Sequence, residues 1–360
     1  MNKPKVLLIQ ELLQNYRAPI YSLMREKVDL TLAYTTRNDI EDTSFNIIQL
    51  PYFKLGKLII HKNLYKILNQ YDVVVSQPHL SSVRLCMLQW LPRKFKLVTW
   101  SIGKHVSYNA PFDLTKRPTF TDWIFEIIQD GADACIFYMK ETIDYWTKYK
   151  KINKQKYFEA HNTVAVAEFK ELPDFKSRST FLFVGTLYAQ KGLGELIDAY
   201  RMAIKRCPNL PVLKIVGKGP EKEKIVAQIK KSGLENKIIL CGPIYDEIVL
   251  KDYFLEAVLC ISPKQAGLSV PKSLGYGCPF VTRPDAITGG ERDNVKHGYN
   301  GLFYNSLEEL TEILIDVTEN KRKYSVMSIN AREYYIEQCS PEFMSNGALA
   351  AINYAMSSNE

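Results

Sequence analysis

The sequence lacks most of the short motifs that announce a particular chemistry. It has no Gly-x-x-x-x-Gly-Lys-Ser/Thr phosphate loop and no His-Glu-x-x-His, which removes P-loop NTPases and zinc proteases of that type. No Asp-x-Asp occurs, so no carboxylate pair stands ready to hold Mg²⁺ or Mn²⁺ against a diphosphate. The five histidines show no metal-ligand spacing, and the reading is that no metal is used. Seven cysteines are scattered without a Cys-x-x-Cys pair, which excludes a zinc knuckle and argues for a reduced, cytoplasmic protein without disulfides. No apolar run approaches the roughly 20 residues of a membrane-spanning helix. The opening Met1–Gln10 is too short in its apolar part for a signal peptide and runs straight into a strand pattern.

What is present is a globular composition, 46% hydrophobic and 24% charged, over 360 residues, the length of two ordinary domains. The net charge of +8 is uneven. Residues 1–170 hold 24 Lys and Arg against 16 Asp and Glu, whereas residues 171–360 hold 23 of each. The partner of the first half is therefore expected to be anionic.

Short β-branched runs alternate with helical stretches in both halves, the pattern of βα units around a parallel sheet. Strands are expected at Lys5–Gln10, Asp29–Thr35, Asp72–Ser76, Lys96–Ile102, Ala134–Tyr138 and Tyr157–Asn162. A polar stretch, Glu168–Ser179, is the linker candidate. The pattern then restarts with strands at Thr180–Leu187, Val212–Val216, Lys237–Cys241, Ala257–Ser262 and Pro279–Thr282, and a helix at Leu193–Arg206. Residues 306–358 read as nearly all helix, opened by a capping box at Ser306–Glu309 and restarted at Ser340-Pro341-Glu342. The fold class is α/β: two Rossmann-like domains with parallel sheets, residues 1–170 and 171–340, and the crevice at their strand ends is the expected ligand site.

Without a metal, phosphate charge must be met by Lys, Arg and helix N-termini. In the second half Gly185 ends a strand and Lys191 precedes the next helix, which fits a phosphate contact or an ordinary βα turn with a solvated lysine. More specific is the run Ile261-Ser262-Pro263-Lys264-Gln265-Ala266-Gly267-Leu268-Ser269-Val270-Pro271-Lys272-Ser273-Leu274-Gly275-Tyr276-Gly277-Cys278-Pro279. It is followed by Thr288-Gly289-Gly290-Glu291 and His297-Gly298-Tyr299-Asn300-Gly301. In this order the motifs resemble the retaining, nucleotide-sugar-dependent glycosyltransferases of the two-domain GT-B fold, the bacterial "group 1" type. The resemblance spans most of residues 180–305.

The resemblance implies a donor site at Gly185, Thr186 and Lys191, with Gly217, Gly219 and Pro220 beside the nucleobase. Gly267, Leu268, Ser269, Gly289 and Gly290 would face the phosphates, and residues 341–360 would form a helix returning to the first domain. It also implies departures. Two family glutamates, one holding the transferred sugar and one the ribose hydroxyls, fall on Lys264 and Lys272, and a family arginine falls on Thr186. A lysine donates to a hydroxyl but cannot accept from one, so the sugar contact must be remodelled. The glutamate after Gly-Gly falls on Asp293 or, with a shift, Glu291. In the first half His105 is the candidate facing the donor sugar, with His79 second. Asn15, Tyr16 and Arg17 either seat the acceptor or cap a helix.

The implied activity is transfer of a sugar from a nucleotide-diphosphate sugar, UDP-sugar favoured, to a polyprenyl-diphosphate-linked or saccharide acceptor in surface polysaccharide synthesis. Catalysis is expected to involve His105, Lys264 and Glu291, with no cofactor. Two basic stretches, Leu88–Lys96 with Trp90 and the lysines at 148, 150, 151, 154 and 156, suit an anionic membrane surface or are plain solvated faces. The rivals are a non-catalytic sugar-nucleotide or glycan-binding protein, which the Lys264/Lys272 pair favours, and a nucleotide-sugar epimerase, disfavoured by the shortage of crevice carboxylates. Nucleic acid is not an expected partner; affinity for DNA falling steeply with salt would revive it.

Overall fold

The computed structural model describes residues 3–104, 112–151 and 153–358, in two units: residues 3–162 with 341–358, and residues 163–340. The division thus falls at Asn162/Thr163, ahead of the polar stretch that composition marks as a linker.

The first unit begins with β1 (Lys5–Leu13), α1 (Ala18–Arg25), β2 (Asp29–Asn38) and β3 (Asn46–Gln49). Two short strands, β4 (Tyr52–Leu55) and β5 (Leu58–His61), pair antiparallel as a separate hairpin. Then come α2 (Leu64–Leu68), β6 (Val73–Ser76), α3 (Val83–Cys86), β7 (Lys96–Ser101), α4 (Phe120–Asp130), β8 (Ala134–Phe137), α5 (Lys140–Thr147) and β9 (Tyr157–Glu159). Seven parallel strands lie in the order β3-β2-β1-β6-β7-β8-β9. Both faces of this sheet are covered, which is why Val73, Val74 and Val75 are all buried in a run without polar alternation. A capping box opens α4: Thr119 accepts from the Asp122 amide while the Asp122 carboxylate accepts from the Thr119 amide.

The second unit runs β10 (Thr180–Val184), α6 (Leu193–Arg206), β11 (Val212–Val216), α7 (Lys222–Lys231), β12 (Ile238–Gly242), α8 (Glu247–Glu256), β13 (Ala257–Ile261), α9 (Ser269–Gly275), β14 (Phe280–Thr282) and β15 (Gly301–Phe303). Helices α10 (Leu307–Glu319) and α11 (Lys321–Gln338) complete it. Its parallel sheet has the order β12-β11-β10-β13-β14-β15, so the connections reverse direction between β10 and β13. In the first sheet the same reversal falls between β1 and β6. Ligands of such sheets bind beyond the strand ends at the reversal.

The last helix, α12 (Pro341–Ser357), packs into the first unit through Met344, Ala348, Ala351, Ile352 and Ala355. Small residues permit a close approach: a methyl group added at Gly347 would sit 1.9 Å from the Glu159 carbonyl oxygen of β9. The largest buried side chains, Trp100 and Trp146 among them, contribute roughly 1.5–3 kcal/mol each by leaving water.

Candidate active site

The chain leaves β10 at Gly185, in a backbone conformation that side chains rarely adopt (φ +155°). The Gly185 amide donates to the Val216 carbonyl at 3.0 Å and the Leu187 amide to the Lys218 carbonyl at 3.0 Å, which clamps this turn onto the turn after β11. A methyl group at Gly217 would lie 1.9 Å from the Gly185 carbonyl oxygen, and one at Gly219 would lie 2.5 Å from that of Leu187. These two glycines are thus demanded by the meeting of two loops, whatever lies beyond them. Thr186 and Pro220 are exposed beside them.

A single 3-10 turn, Ala189–Lys191, leads through left-handed Gly192 (φ +72°) into α6. The turn folds the Lys191 side chain inward to 9% exposure, so that its Nζ would lie 3.4 Å from a methyl group at Gly185. Among the described residues no hydrogen-bond or ion-pair partner meets this amine. Burial pushes its pKa below the usual lysine value, while Cys260 and the carboxylate of Glu291 pull the other way. Glu291 is itself 4% exposed, and its Oε2 accepts from the Gly289 amide at 2.9 Å and the Thr288 hydroxyl at 3.2 Å. The Thr288 hydroxyl in turn accepts from the Gly290 and Arg292 amides, which fixes the turn carrying Glu291.

The segment after β13 closes the same corner. The Lys264 amide donates to the Lys191 carbonyl, and the Lys264 carbonyl accepts from Ile287. Ser269, at the start of α9, has a buried hydroxyl without a partner; a methyl group at Gly267 would meet nothing within 4 Å, and Leu268 between them is half-buried. Gly185, Lys191, Glu291 and the 264–269 segment are thus gathered at the strand reversal of the second sheet.

Lys264 and Lys272 are each taken up by a glutamate from another element. Lys264 is half exposed, with Nζ 3.4 Å from Glu195 of α6, which also receives Arg283 Nη1 at 2.7 Å. Lys272 Nζ sits between both carboxylate oxygens of Glu247 of α8. Sequence reasoning missed Glu195, Glu247 and Arg283, because nothing local in the chain announces these partners.

In the first unit, Arg17 lies on the turn between β1 and α1. It is 7% exposed and donates to Tyr16 Oη (3.1 Å), Tyr138 Oη (2.9 Å) and Asn162 Oδ1 (3.0 Å), while Nη1 has no partner. Its guanidinium lies 5.6 Å from the ring centres of Tyr16 and Tyr138 and 6.0 Å from that of Trp100. Asn15 is exposed beside it. His79 follows β6, is exposed, and has Nδ1 2.6 Å from the Ser81 hydroxyl and 3.9 Å from Glu11 Oε2. His105 lies outside the described residues.

Among the described residues no group of three or more His, Cys, Asp or Glu is placed to hold a metal ion. No described helix is long and apolar enough to cross a membrane. The lysines at 150, 154 and 156, read from sequence as part of a basic patch, are ion-paired with Glu126, Asp130 and Asp144. Arg93 and Lys96 share Asp133.

Residues 166–334 match the family of glycosyl transferases group 1. The second unit is a group 1 glycosyltransferase domain. The chain is similar to the alpha-monoglucosyldiacylglycerol synthase of Acholeplasma laidlawii, 26% identical over 44% of this chain and 41% of the relative. It is also similar to the poly(glycerol-phosphate) alpha-glucosyltransferase of Bacillus subtilis, 29% identical over 47% of this chain and 25% of the relative. The chain thus spans less than half of the length of either relative. Its fold resembles that of Anabaena HepE in complex with UDP, with a TM-score of 0.71 at 15% identity over 97% of this chain and 99% of that one. The fold is GT-B, as the motif order in the glycosyltransferase domain implies.

Proposed function

We propose that the protein transfers a sugar from a nucleoside-diphosphate sugar, UDP-sugar favoured, to a lipid-linked or saccharide acceptor in cell-surface polysaccharide synthesis. The observation that carries this reading is Lys191. An ammonium group withdrawn from water without a hydrogen-bond or ion-pair partner among the described residues, and only partly offset by the Glu291 carboxylate, is expensive to keep and becomes favourable when an anion arrives. Its place at the strand reversal is where a diphosphate binds sheets of this kind. The β-phosphate leaving with the nucleotide gains negative charge as the bond to the sugar breaks, and a fixed amine there lowers that barrier. The reading takes phosphate charge to be met by the protein alone, without metal, and the transfer to retain configuration. In this reading Glu291, held by two donors at the same strand reversal, orients the sugar hydroxyls. The names of the two relatives, a glycolipid synthase and a polymer glucosyltransferase, support a membrane-proximal acceptor. UDP in the HepE complex supports the choice of base. The reading places the protein on the cytoplasmic face of a membrane, met by the basic first unit.

The test is release of nucleoside diphosphate from UDP-, GDP- and ADP-sugars, with EDTA and with Mg²⁺, in the presence of polyprenyl-diphosphate-linked saccharides. Acceptor-dependent release of UDP in EDTA supports the reading. UDP binding without release from any sugar would leave a binding protein in its place.

A further inference from the structure

We propose that the β4–β5 hairpin is a finger by which the first unit enters the headgroup layer of an anionic lipid bilayer. This deepens the membrane-proximal part of the reading above and does not depend on the transfer chemistry.

The hairpin stands apart from the seven-stranded sheet and is closed by a two-residue turn, Gly56-Lys57, with Gly56 left-handed at φ +59°. Leu55 and Leu58 pair directly across that turn and are 64% and 41% exposed; Phe53 behind them is 44% exposed. An isolated two-stranded hairpin gains little from showing such side chains to water. It is held along β5, where Ile59, next to the tip, is itself buried. The Ile59 amide donates to the Ser81 carbonyl, and Arg84 donates to the His61 carbonyl from α3. The chain following α3 carries a second set of exposed apolar groups, Met87, Trp90 (61%) and Leu91.

The charge around these groups has one sign. Between residues 43 and 112 the sequence has nine Lys or Arg and a single acid, Asp72. Lys54, Lys57, Lys62, Lys66 and Lys94 are exposed, and no carboxylate among the described residues pairs with them. This contrasts with the lysines at 150, 154 and 156, whose charge is already spent on neighbouring acids. Leucines at a tip, a tryptophan in the chain after α3 and lysines without acidic partners suit a surface with an apolar interior and a negative rim. A polyanion lacking that interior would leave Leu55 and Leu58 without a role.

The test is co-sedimentation with neutral phosphatidylcholine vesicles and with phosphatidylcholine–phosphatidylglycerol vesicles, at low and high salt. The samples are the wild-type chain, Leu55→Asp/Leu58→Asp, and Lys54→Glu/Lys57→Glu/Lys62→Glu. Wild-type protein is expected to pellet with the anionic vesicles and less so as salt rises. Each variant is expected to lose at least about tenfold in partition. Brominated lipid should quench wild-type fluorescence, and Trp90→Phe should remove most of that quenching. Thermal melts and UDP titration of the same samples show whether the variants fold, and separate loss of the finger from failure of the transferase reading. Equal partition into neutral vesicles, wild-type partition by the leucine variant, or full displacement by double-stranded DNA would overturn the proposal.

Discussion

The two sheets place a cation at the same topological point and treat it in opposite ways. Arg17 leaves β1 and Lys191 follows β10, each on the turn after the first strand at its sheet's reversal. Arg17 is surrounded by two tyrosine hydroxyls, an asparagine oxygen and three aromatic rings. Lys191 is buried with no partner for its amine among the described residues. A guanidinium spreads its charge over a plane that stacks and donates five ways, so neutral neighbours satisfy most of it. An ammonium is a compact, strongly hydrated charge that a buried site must compensate or leave costly. Arg17 thus holds its unit together, whereas Lys191 is kept at a cost to stability that the proposed diphosphate would recover.

Substitutions at both points sharpen the contrast. Arg17→Ala removes three hydrogen bonds and the ring contacts, and is expected to destabilise the first unit by about 3 kcal/mol, read by denaturant unfolding. It should leave UDP affinity within a few-fold. Gly217→Ala drives a methyl group into the Gly185 carbonyl, and is expected to cost about 2 kcal/mol of stability and to weaken nucleotide binding by displacing the Gly185 turn.

Lys191→Met should move the other way, stabilising the free protein by about 1 kcal/mol at neutral pH because a buried unpaired charge is replaced by an apolar group. The pH dependence of that gain follows from linkage. With the folded pKa below the ordinary 10.5, the unfolded chain binds more protons between the two values, so wild-type stability rises with pH there. The advantage of the Met variant is therefore largest below the folded pKa and shrinks as pH approaches 10.5. Paired melts of the two proteins across that range check it. The smallest effect is at Gly267→Ala, where the added methyl meets no atom within 4 Å: melting is expected to stay unchanged, so any loss of UDP affinity reports the ligand alone.

Much of the glycosyltransferase domain was legible in its sequence. Periodicity places α6 and β11 at their observed bounds, and Lys191 stands out by its position between Gly185 and a helix start. The role of the two glycines after β11 was not legible, since only the folded turns show that Gly217 and Gly219 answer to backbone packing. Nor were the partners of Lys264 and Lys272, whose glutamates come from other helices. The β4–β5 hairpin also escaped, because its exposed strands lack the apolar–polar alternation that marks a half-buried sheet. In the second of the two basic stretches read from the sequence, the fold neutralises Lys150, Lys154 and Lys156 with acids of other elements; ion pairing across elements is a tertiary fact.

Whether Lys191 is a buried charge awaiting an anion is decided by titrating UDP into wild-type protein and Lys191→Met in EDTA, beside melts of both. The variant is expected to melt higher and to bind UDP at least about tenfold more weakly, the worth of one charge-assisted contact. Equal UDP affinity in the two proteins, or a variant that melts lower, would contradict it.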